Sequence, residues 1–392
     1  MDKLKETKNM IGEIFLEIGE ALDSGQFGIQ SRIGITTLGS EHGIENIIKG
    51  AEKAQKENID LKVVLIGPKI ETSLEIAEAN TENEMYTKME ELLDKGEIDA
   101  CVTMHYNFPI GVATVGKAIT PGLGRDLYLA TTTGTASANR VESMIKNTLY
   151  GIITAKAMGI DNPSVGILNL DGSRQVETAL RKLNANGYNI NFGESARADG
   201  GCVMRGNDLL SGSSDVMVTD TLTGNLMMKI LSSFTTGGNY ESSGDGYGPG
   251  IGENYGRIIL ILSRASGVPV VANAIGYAGK LVKGRLTNKA KEEFQKARDA
   301  GLENILNELT KAPAKSEKKI TMPDKEVVVG QISGIDIMDL ESAVQVLWQE
   351  AVYAESGMGC TGPIVLVSEK NLARAIDILK KNNYVATEAE DC

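Results

Sequence analysis

The chain has four cysteines, and one of them, Cys360, stands in the run Glu355-Ser356-Gly357-Met358-Gly359-Cys360-Thr361-Gly362. A thiol among glycines is open to a partner, because glycine lets other backbone come close. Such a setting suits a nucleophile or a covalent acyl carrier. Either role needs the thiolate, hence a pKa below about 8.5. The competing reading is a small buried apolar residue, which cysteine often is. The run also matches G-x-G-x-x-G. A dinucleotide fingerprint, however, follows a strand and opens a helix. Here the pattern predicts a helix before the run and a strand after it, so the nicotinamide reading is rejected.

Both histidines, His42 and His105, fall just after predicted strands. Loops at the C-terminal ends of strands are where open α/β sheets build their sites. Either imidazole suits a general base or a thiol partner, and each suits equally a residue that closes a turn. In Thr131-Thr132-Thr133-Gly134-Thr135-Ala136-Ser137-Ala138-Asn139-Arg140, hydroxyls and a guanidinium precede a helix. Thr133, Thr135, Ser137 and Arg140, with the free N–H groups of the first turn, are candidates to hold phosphate. Capping of that helix by Ser137 is the alternative use. Ser263-Arg264 after a later strand offers a second hydroxyl–guanidinium pair. Glycine at every second position from Gly244 to Gly252 is too flexible for an ordinary strand and predicts a loop that wraps a ligand or partner.

These residues belong to a chain of 392 residues, long enough for about two domains. A net charge of −12 argues against nucleic acid as a partner. It still permits an anionic substrate, since local arginines outweigh the global sign. Cys101, Cys202, Cys360 and Cys392 show no C-x-x-C spacing, so neither disulfides nor a metal site is expected. Charges interrupt residues 1–22, which read as an amphipathic helix, with no signal peptide. No run of about 18 apolar residues suggests a membrane span, and the cytoplasm is the expected compartment.

Strands are predicted at 32–38, 61–66, 99–104, 127–130, 165–169, 215–219, 257–262, 268–271 and 363–368. Helices are predicted at 44–56, 86–95, 139–158, 174–186, 226–234, 340–355 and 371–382. Their alternation predicts an α/β fold with a mostly parallel sheet and helices on both faces. The expected organisation is an N-terminal helix (1–28), a first α/β domain (29–158 plus 340–392) and a second (159–339). The second carries a lysine-rich insertion at about 310–326.

Several segments together resemble known enzymes. Thr37-Leu38-Gly39-Ser40-Glu41-His42-Gly43 and Asp220-Thr221-Leu222-Thr223-Gly224-Asn225 with Lys229 resemble segments of the phosphate acyltransferases of phospholipid synthesis. The hydroxyl loop before Arg140 and Leu262-Ser263-Arg264 are similar to phosphotransacetylases. Over almost its whole length the chain resembles the alpha subunits of component C of the glycine/sarcosine/betaine reductase complex. The segments from Thr36 to Gly43, Cys101 to Gly111, Ala198 to Leu210, Val216 to Gly238, Gly246 to Ala274 and Gly357 to Leu366 carry much of that likeness. The resemblance implies a two-domain isocitrate-dehydrogenase-like fold with an interdomain cleft, where Ser40, Asp220, Thr223 and Asn225 would line the acyl site. It implies an acetyl thioester on Cys360, derived from carboxymethyl-selenoprotein A and released by inorganic phosphate as acetyl phosphate. No bound cofactor is implied. The implied partners are the component C beta subunit and selenoprotein A. One departure is Thr221-Leu222, where the acyltransferases have Gly-Phe. Two other readings remain: a free-standing acyltransferase using coenzyme A or an acyl carrier protein, and a non-enzymatic docking subunit.

Overall fold

The computed structural model describes residues 12, 15, 30–197, 200–310, 322–336, 339–359, 362–382 and 384–385. The helix expected over 1–28 lies outside them except for Gly12 and Phe15, and so does most of the lysine-rich stretch.

The first part supplies β1 (Ser31–Thr36), α1 (Ile44–Glu57), β2 (Leu61–Gly67), β3 (Glu75–Glu78), α2 (Glu82–Asp94) and β4 (Ala100–Thr103). It continues with β5 (Val112–Ile119), β6 (Asp126–Thr135) and α3 (Arg140–Ala157). The middle supplies β7 (Ser164–Leu168), α4 (Ser173–Ala185), β8 (Asn191–Phe192), β9 (Val203–Met204), α5 (Gly206–Ser211), β10 (Val216–Val218) and α6 (Thr221–Ser233). Then come β11 (Gly248–Ile251), β12 (Ile259–Ile261), α7 (Val268–Lys283), α8 (Leu286–Asp299) and α9 (Leu302–Thr310). The C-terminal part is β13 (Gly330–Ile332), α10 (Leu340–Gln349), β14 (Ala354–Gly359), β15 (Gly362–Val367) and α11 (Leu372–Lys381).

The first twelve strands form one sheet in the order β3-β2-β1-β4-β12-β11-β5-β6-β10-β7-β8, with β9 also on β7. Most pairs are parallel, as the alternating pattern predicts. Strands buried on both faces read as near-continuous apolar runs, and Val63-Val64-Leu65-Ile66 of β2 is entirely buried. Two parallel sets, β3-β2-β1-β4-β12 and β6-β10-β7-β8, are joined by β11 and β5, which pair antiparallel with their neighbours. One apolar core runs through both sets, from Ile33, Ile35 and Val102 to Val165, Ile167 and Val218.

Three local expectations are corrected. Residues 268–271, expected as a strand, open helix α7, with Pro269 in the first turn, where its missing N–H costs nothing. Their β-branched side chains serve helix packing, and Val271 lies so close to α1 that only Gly50 fits beneath it. The glycine-alternating segment, expected as a loop, contains strand β11 in the middle of the sheet. A side chain at Gly248 would meet the Val115 carbonyl, and one at Gly250 the Phe108 ring. Its glycines answer close packing. The helix expected to reach Glu355 ends at Gln349. Ala351 adopts a left-handed φ of 55°, Val352 N–H donates to the Leu347 carbonyl at 2.9 Å, and the chain reverses into β14.

Consequently the segment around Cys360 does not follow a helix. Strands β14 and β15 pair antiparallel from Ala354↔Val367 to Gly359↔Gly362. Cys360 and Thr361 fall between the last pair in sequence and lie outside the described residues. With β13 these strands make a separate three-stranded sheet, with its own apolar core of Ile332, Val344, Leu347, Val365 and Leu379. It meets the main body where Gly172 N–H donates to Asp336 at 2.8 Å and Gln175 to Asp339 at 3.1 Å.

Candidate active site

A cavity of about 510 Å³ opens where the two parallel sets meet. The C-terminal end of β4 leads into Met104 to Phe108, the end of β6 brings Thr133 and Gly134, and β12 leads into Leu262-Ser263-Arg264. Glu41, Tyr247 and, from α6, Asn225 and Lys229 complete the wall. Ends of parallel strands are free of side-chain packing from the next layer, which is why they carry sites.

Five of the candidates meet here: His105, Thr133, Asn225, Ser263 and Arg264. Thr133 is held by Thr114, whose hydroxyl accepts its N–H at 3.0 Å and lies 3.1 Å from its own hydroxyl. Asn225 donates its amide to the Thr132 carbonyl at 2.9 Å, which fixes the side chain at the start of α6. Gly224 lets the helix lie this close, since a Cβ there would collide with the Thr131 carbonyl. His105 packs edge-on to Tyr86, with centroids 6.5 Å apart. Ser263 accepts the Ala265 N–H at 3.2 Å, turning the chain so that Arg264 faces the cavity. The Arg264 guanidinium makes no ion pair among the described residues.

The other candidates do other work. His42 is not a wall residue: its Nε2 lies 3.3 Å from the Ala265 carbonyl, and its ring packs edge-on to Tyr240. Ser40 accepts the His42 N–H at 3.2 Å and shapes that turn. Both therefore support the Arg264 loop from outside. Arg140 is paired with Asp220 at 2.5 Å and with Asp171 at 3.4 Å. Asp220 caps α6, accepting the Thr223 N–H at 2.8 Å. Burial pushes its carboxyl up, but the Thr223 hydrogen bond and Arg140 outweigh that and hold it below the usual range. Ser137 accepts the Asn139 N–H at 3.2 Å, while Asn139 itself caps α3 by accepting Glu142 N–H at 3.0 Å. Thr135 ends β6 with its carbonyl bound to Gly111 N–H. Thr135, Ser137, Arg140, Asp220 and Thr223 are thus absent from the cavity wall.

Sequence reasoning overlooked Tyr247 and Glu241. Tyr247 lines the cavity beneath Lys229, whose ammonium sits 5.8 Å from the ring centroid. The Tyr247 hydroxyl donates to Glu241 at 2.9 Å, and Ser266 donates to the same carboxyl at 3.3 Å. Glu241 is 2% exposed. Burial raises its pKa, and the hydrogen bonds from Tyr247 and Ser263 offset this only in part. Its backbone also bonds both Ala265 and Gly267, tying the Arg264 loop to the floor. A carboxylate buried between glycines and serines leaves no periodic signal in sequence. Cys101 and Cys202 are buried; burial drives both thiols upward, Cys202 to about 12, so neither is poised as a nucleophile.

Chemically the cavity joins the Lys229 and Arg264 cations, the Glu41 carboxylate, the hydroxyls of Thr133, Ser263, Tyr106 and Tyr247, the amides of Asn107 and Asn225 and the His105 imidazole with the apolar Met104, Phe108, Ile261 and Leu262, so that cations outnumber carboxylates in its wall. That combination fits a compact anion carrying a short apolar group.

The comparisons with known proteins agree in class. A family model described as "Fatty acid synthesis protein" matches residues 31–366, and the chain belongs to that family. Within it, the chain is 61% identical to the "Glycine/sarcosine/betaine reductase complex component C subunit alpha" of Peptoclostridium acidaminophilum, over 98% of this chain and 100% of that protein. The kinship read from the sequence segments therefore holds over nearly the full length. A phosphate acyltransferase of Crocosphaera subtropica is 28% identical over 52% of this chain and 68% of its own. A branched-chain phosphotransacylase from Enterococcus faecalis V583 superposes with a TM-score of 0.45 at 16% identity, covering 64% of this chain and 99% of the other. The phosphate acyltransferase kinship supports an enzyme of acyl–phosphate transfer. No helix among the described residues is long and apolar enough to cross a membrane.

Proposed function

We propose that the chain is the acyl-to-phosphate transferring subunit of a glycine/sarcosine/betaine reductase component C, releasing acetyl phosphate from an acetyl thioester on Cys360. The acyl group would originate from carboxymethyl-selenoprotein A, and a component C beta subunit would complete the assembly. One observation carries this reading: Arg264, Lys229, Ser263, Thr133, Asn225 and His105 line one cavity, in a chain 61% identical to a component C alpha subunit. The isocitrate-dehydrogenase-like, two-domain description belongs to the same proposal. It is supported by the two parallel strand sets, which join edge to edge through β11 and β5.

Arg264 and Lys229 neutralise inorganic phosphate, and the hydroxyls of Ser263 and Thr133 orient it. A phosphate oxygen attacks the thioester carbonyl, the C–O bond forms, and the C–S bond breaks. Cys360 leaves as thiolate, and the phosphate proton passes to His105. Charge on the tetrahedral oxygen is met by the Asn225 amide and the two cations. Delivery of the Cys360 thioester to phosphate held in the cavity would make the attack effectively intramolecular.

The test is mass spectrometry of the chain after exposure to acetyl phosphate, beside Cys360→Ser. The expected result is a hydroxylamine-labile acetyl group on the Cys360 peptide, absent in the variant and discharged by added phosphate. No adduct on Cys360, with phosphate still bound in the cavity, would transfer the thioester to another subunit or to a soluble carrier.

A further inference from the structure

Helix α4 begins without a cap of its own. Its N-cap is Gly172, at a left-handed φ of 86°, and its first turn holds no acid. Ser, Thr, Asp or Asn usually fills that place and accepts an orphan N–H. Here the acceptor lies 164 residues further along the chain: Asp336 takes the Gly172 N–H at 2.8 Å. One turn on, Gln175 donates its side-chain amide to Asp339 at 3.1 Å. Asp339 is the N-cap residue of α10, yet its carboxyl makes no cap bond there. Two electropositive helix N-termini therefore meet with two carboxylates at their junction. Gly172 is buried, and so is Asp336. The neighbouring Ile335 packs into the apolar core of the C-terminal unit, which fixes Asp336 relative to β14 and β15.

We propose that Asp336 is a positioning residue: it holds the C-terminal unit, whose sequence carries Cys360, at the start of α4, a role that rests on the Cys360 thioester proposed above. The residues that line the phosphate cavity all belong to the main body, whereas Cys360 falls between β14 and β15 in sequence. The two reactants therefore sit on different parts of the chain, and an effectively intramolecular attack requires those parts to be held in one arrangement. The place is suitable. Strand β7 runs parallel to β10, and β10 to β6, so the start of α4 lies along the same edge of the sheet as Thr133 and Gly134. The C-terminal unit has an apolar core of its own, separate from that of the main body, so polar contacts such as these must help to place it. Removing the carboxylate would leave the Gly172 N–H buried and unpartnered unless the unit moves off and water takes its place. Loss of Asp336 thus favours displacement of the unit over a relaxed version of the same contact.

The test follows the full chain, acetylated with acetyl phosphate and then discharged by inorganic phosphate, beside deuterium exchange of the peptide from Gly172 to Val176. Asp336→Ala should speed exchange of that peptide and lower the discharge rate at saturating phosphate about 10²-fold, the loss that misplacement of a reacting group brings. The phosphate concentration giving half the maximal rate should not change, because the cavity wall is intact. Asp336→Asn keeps an oxygen that accepts the Gly172 N–H and should recover most of the rate. Gln175→Ala cuts only the second bond and should act in the same direction by a few-fold, which keeps the test open if Asp336→Ala does not fold. Unchanged exchange in Asp336→Ala and Gln175→Ala overturns the proposal. So does faster exchange with an unchanged discharge rate, or a weakened phosphate dependence that Asp336→Asn does not restore. A wild type that takes no acetyl group on Cys360 overturns the thioester reading instead, and the exchange measurement then decides by itself whether Asp336 holds the unit.

Discussion

Two hydroxyl-rich segments, 131–140 and 263–267, each carry an arginine after a strand, and by residue type alone they offer the same chemistry. The structure gives them different tasks. Arg264 faces the cavity with its guanidinium unpaired among the described residues. Its loop is tied from below by Glu241, at the cavity wall by Glu41, whose N–H donates to the Arg264 carbonyl, and from outside by His42. Arg140 is spent on Asp220 and Asp171, steadying the first turn of α6. An arginine serves an incoming anion only where no carboxylate already neutralises it. The difference therefore lies in the acids around each loop: Asp220 pairs directly with Arg140, whereas Glu241 acts through the backbone and through Tyr247.

The largest consequence is catalytic. Arg264→Ala should lower the rate of acyl phosphate release about 10²–10³-fold, the usual loss when one preorganised charge-stabilising donor is removed. Arg140→Ala should change it only a few-fold. Its pair with Asp220 is partly exposed, so the stability lost is about 1 kcal/mol or less. Initial rates at saturating and limiting phosphate separate the two, and a larger loss in Arg140→Ala would reverse the assignment.

Next in size is the floor beneath Lys229. Tyr247→Phe leaves the buried Glu241 with one donor fewer, at a cost of about 1–3 kcal/mol in urea unfolding near neutral pH. The pH dependence carries a sign. Burial raises the Glu241 pKa in the folded chain. Its contribution is therefore fully present below the unfolded value of about 4.3 and is lost as pH rises through the folded value. Glu241→Gln should remove that slope. A wild type and variant that run parallel from about pH 4 to 8 would show that Glu241 is not the group responsible.

Asp220 should behave in the opposite way. Its carboxyl is held below the usual range, so it stabilises above the unfolded value of about 3.9, and the gain is lost as pH falls through the folded value. As the N-cap of α6, Asp220→Ala should cost about 1 kcal/mol at neutral pH. The difference from wild type should shrink in acid, read as converging urea midpoints. Opposite slopes at Glu241 and Asp220 would sharpen the contrast between the two loops; equal slopes would break it.

Much of this layout was legible in sequence because parallel strands and amphipathic helices leave periodic patterns. β1, β2, β4, α1, α3 and α4 fall close to their expected places. The strand-end rule also brought His105, Thr133, Ser263 and Arg264 to attention, and the family segment added Asn225. What failed was local. The β-branched start of α7 mimics a strand, and the glycines of β11 mimic a loop, because their purpose is contact with Val115 and Phe108 elsewhere in the chain. Tyr247 and Glu241 were invisible for the same reason: a buried hydrogen-bonded pair from an irregular segment has no period. Whether an arginine is free or paired is likewise a property of distant acids, and no spacing within 131–140 reveals Asp171 or Asp220.

Ser137 isolates that last point at the smallest scale. It was expected to bind phosphate or to cap α3, and its hydroxyl is instead bound to the Asn139 N–H while Asn139 performs the capping. Asn139→Ala should therefore cost about 1 kcal/mol, and Ser137→Ala about 0.5 kcal/mol or less, since only a turn hydrogen bond near the surface is lost. The affinity for phosphate should be unchanged in Ser137→Ala, measured by calorimetric titration. A weaker phosphate isotherm in Ser137→Ala would place the anion on the 131–140 loop, and Arg140 would then have to release Asp220 to meet it.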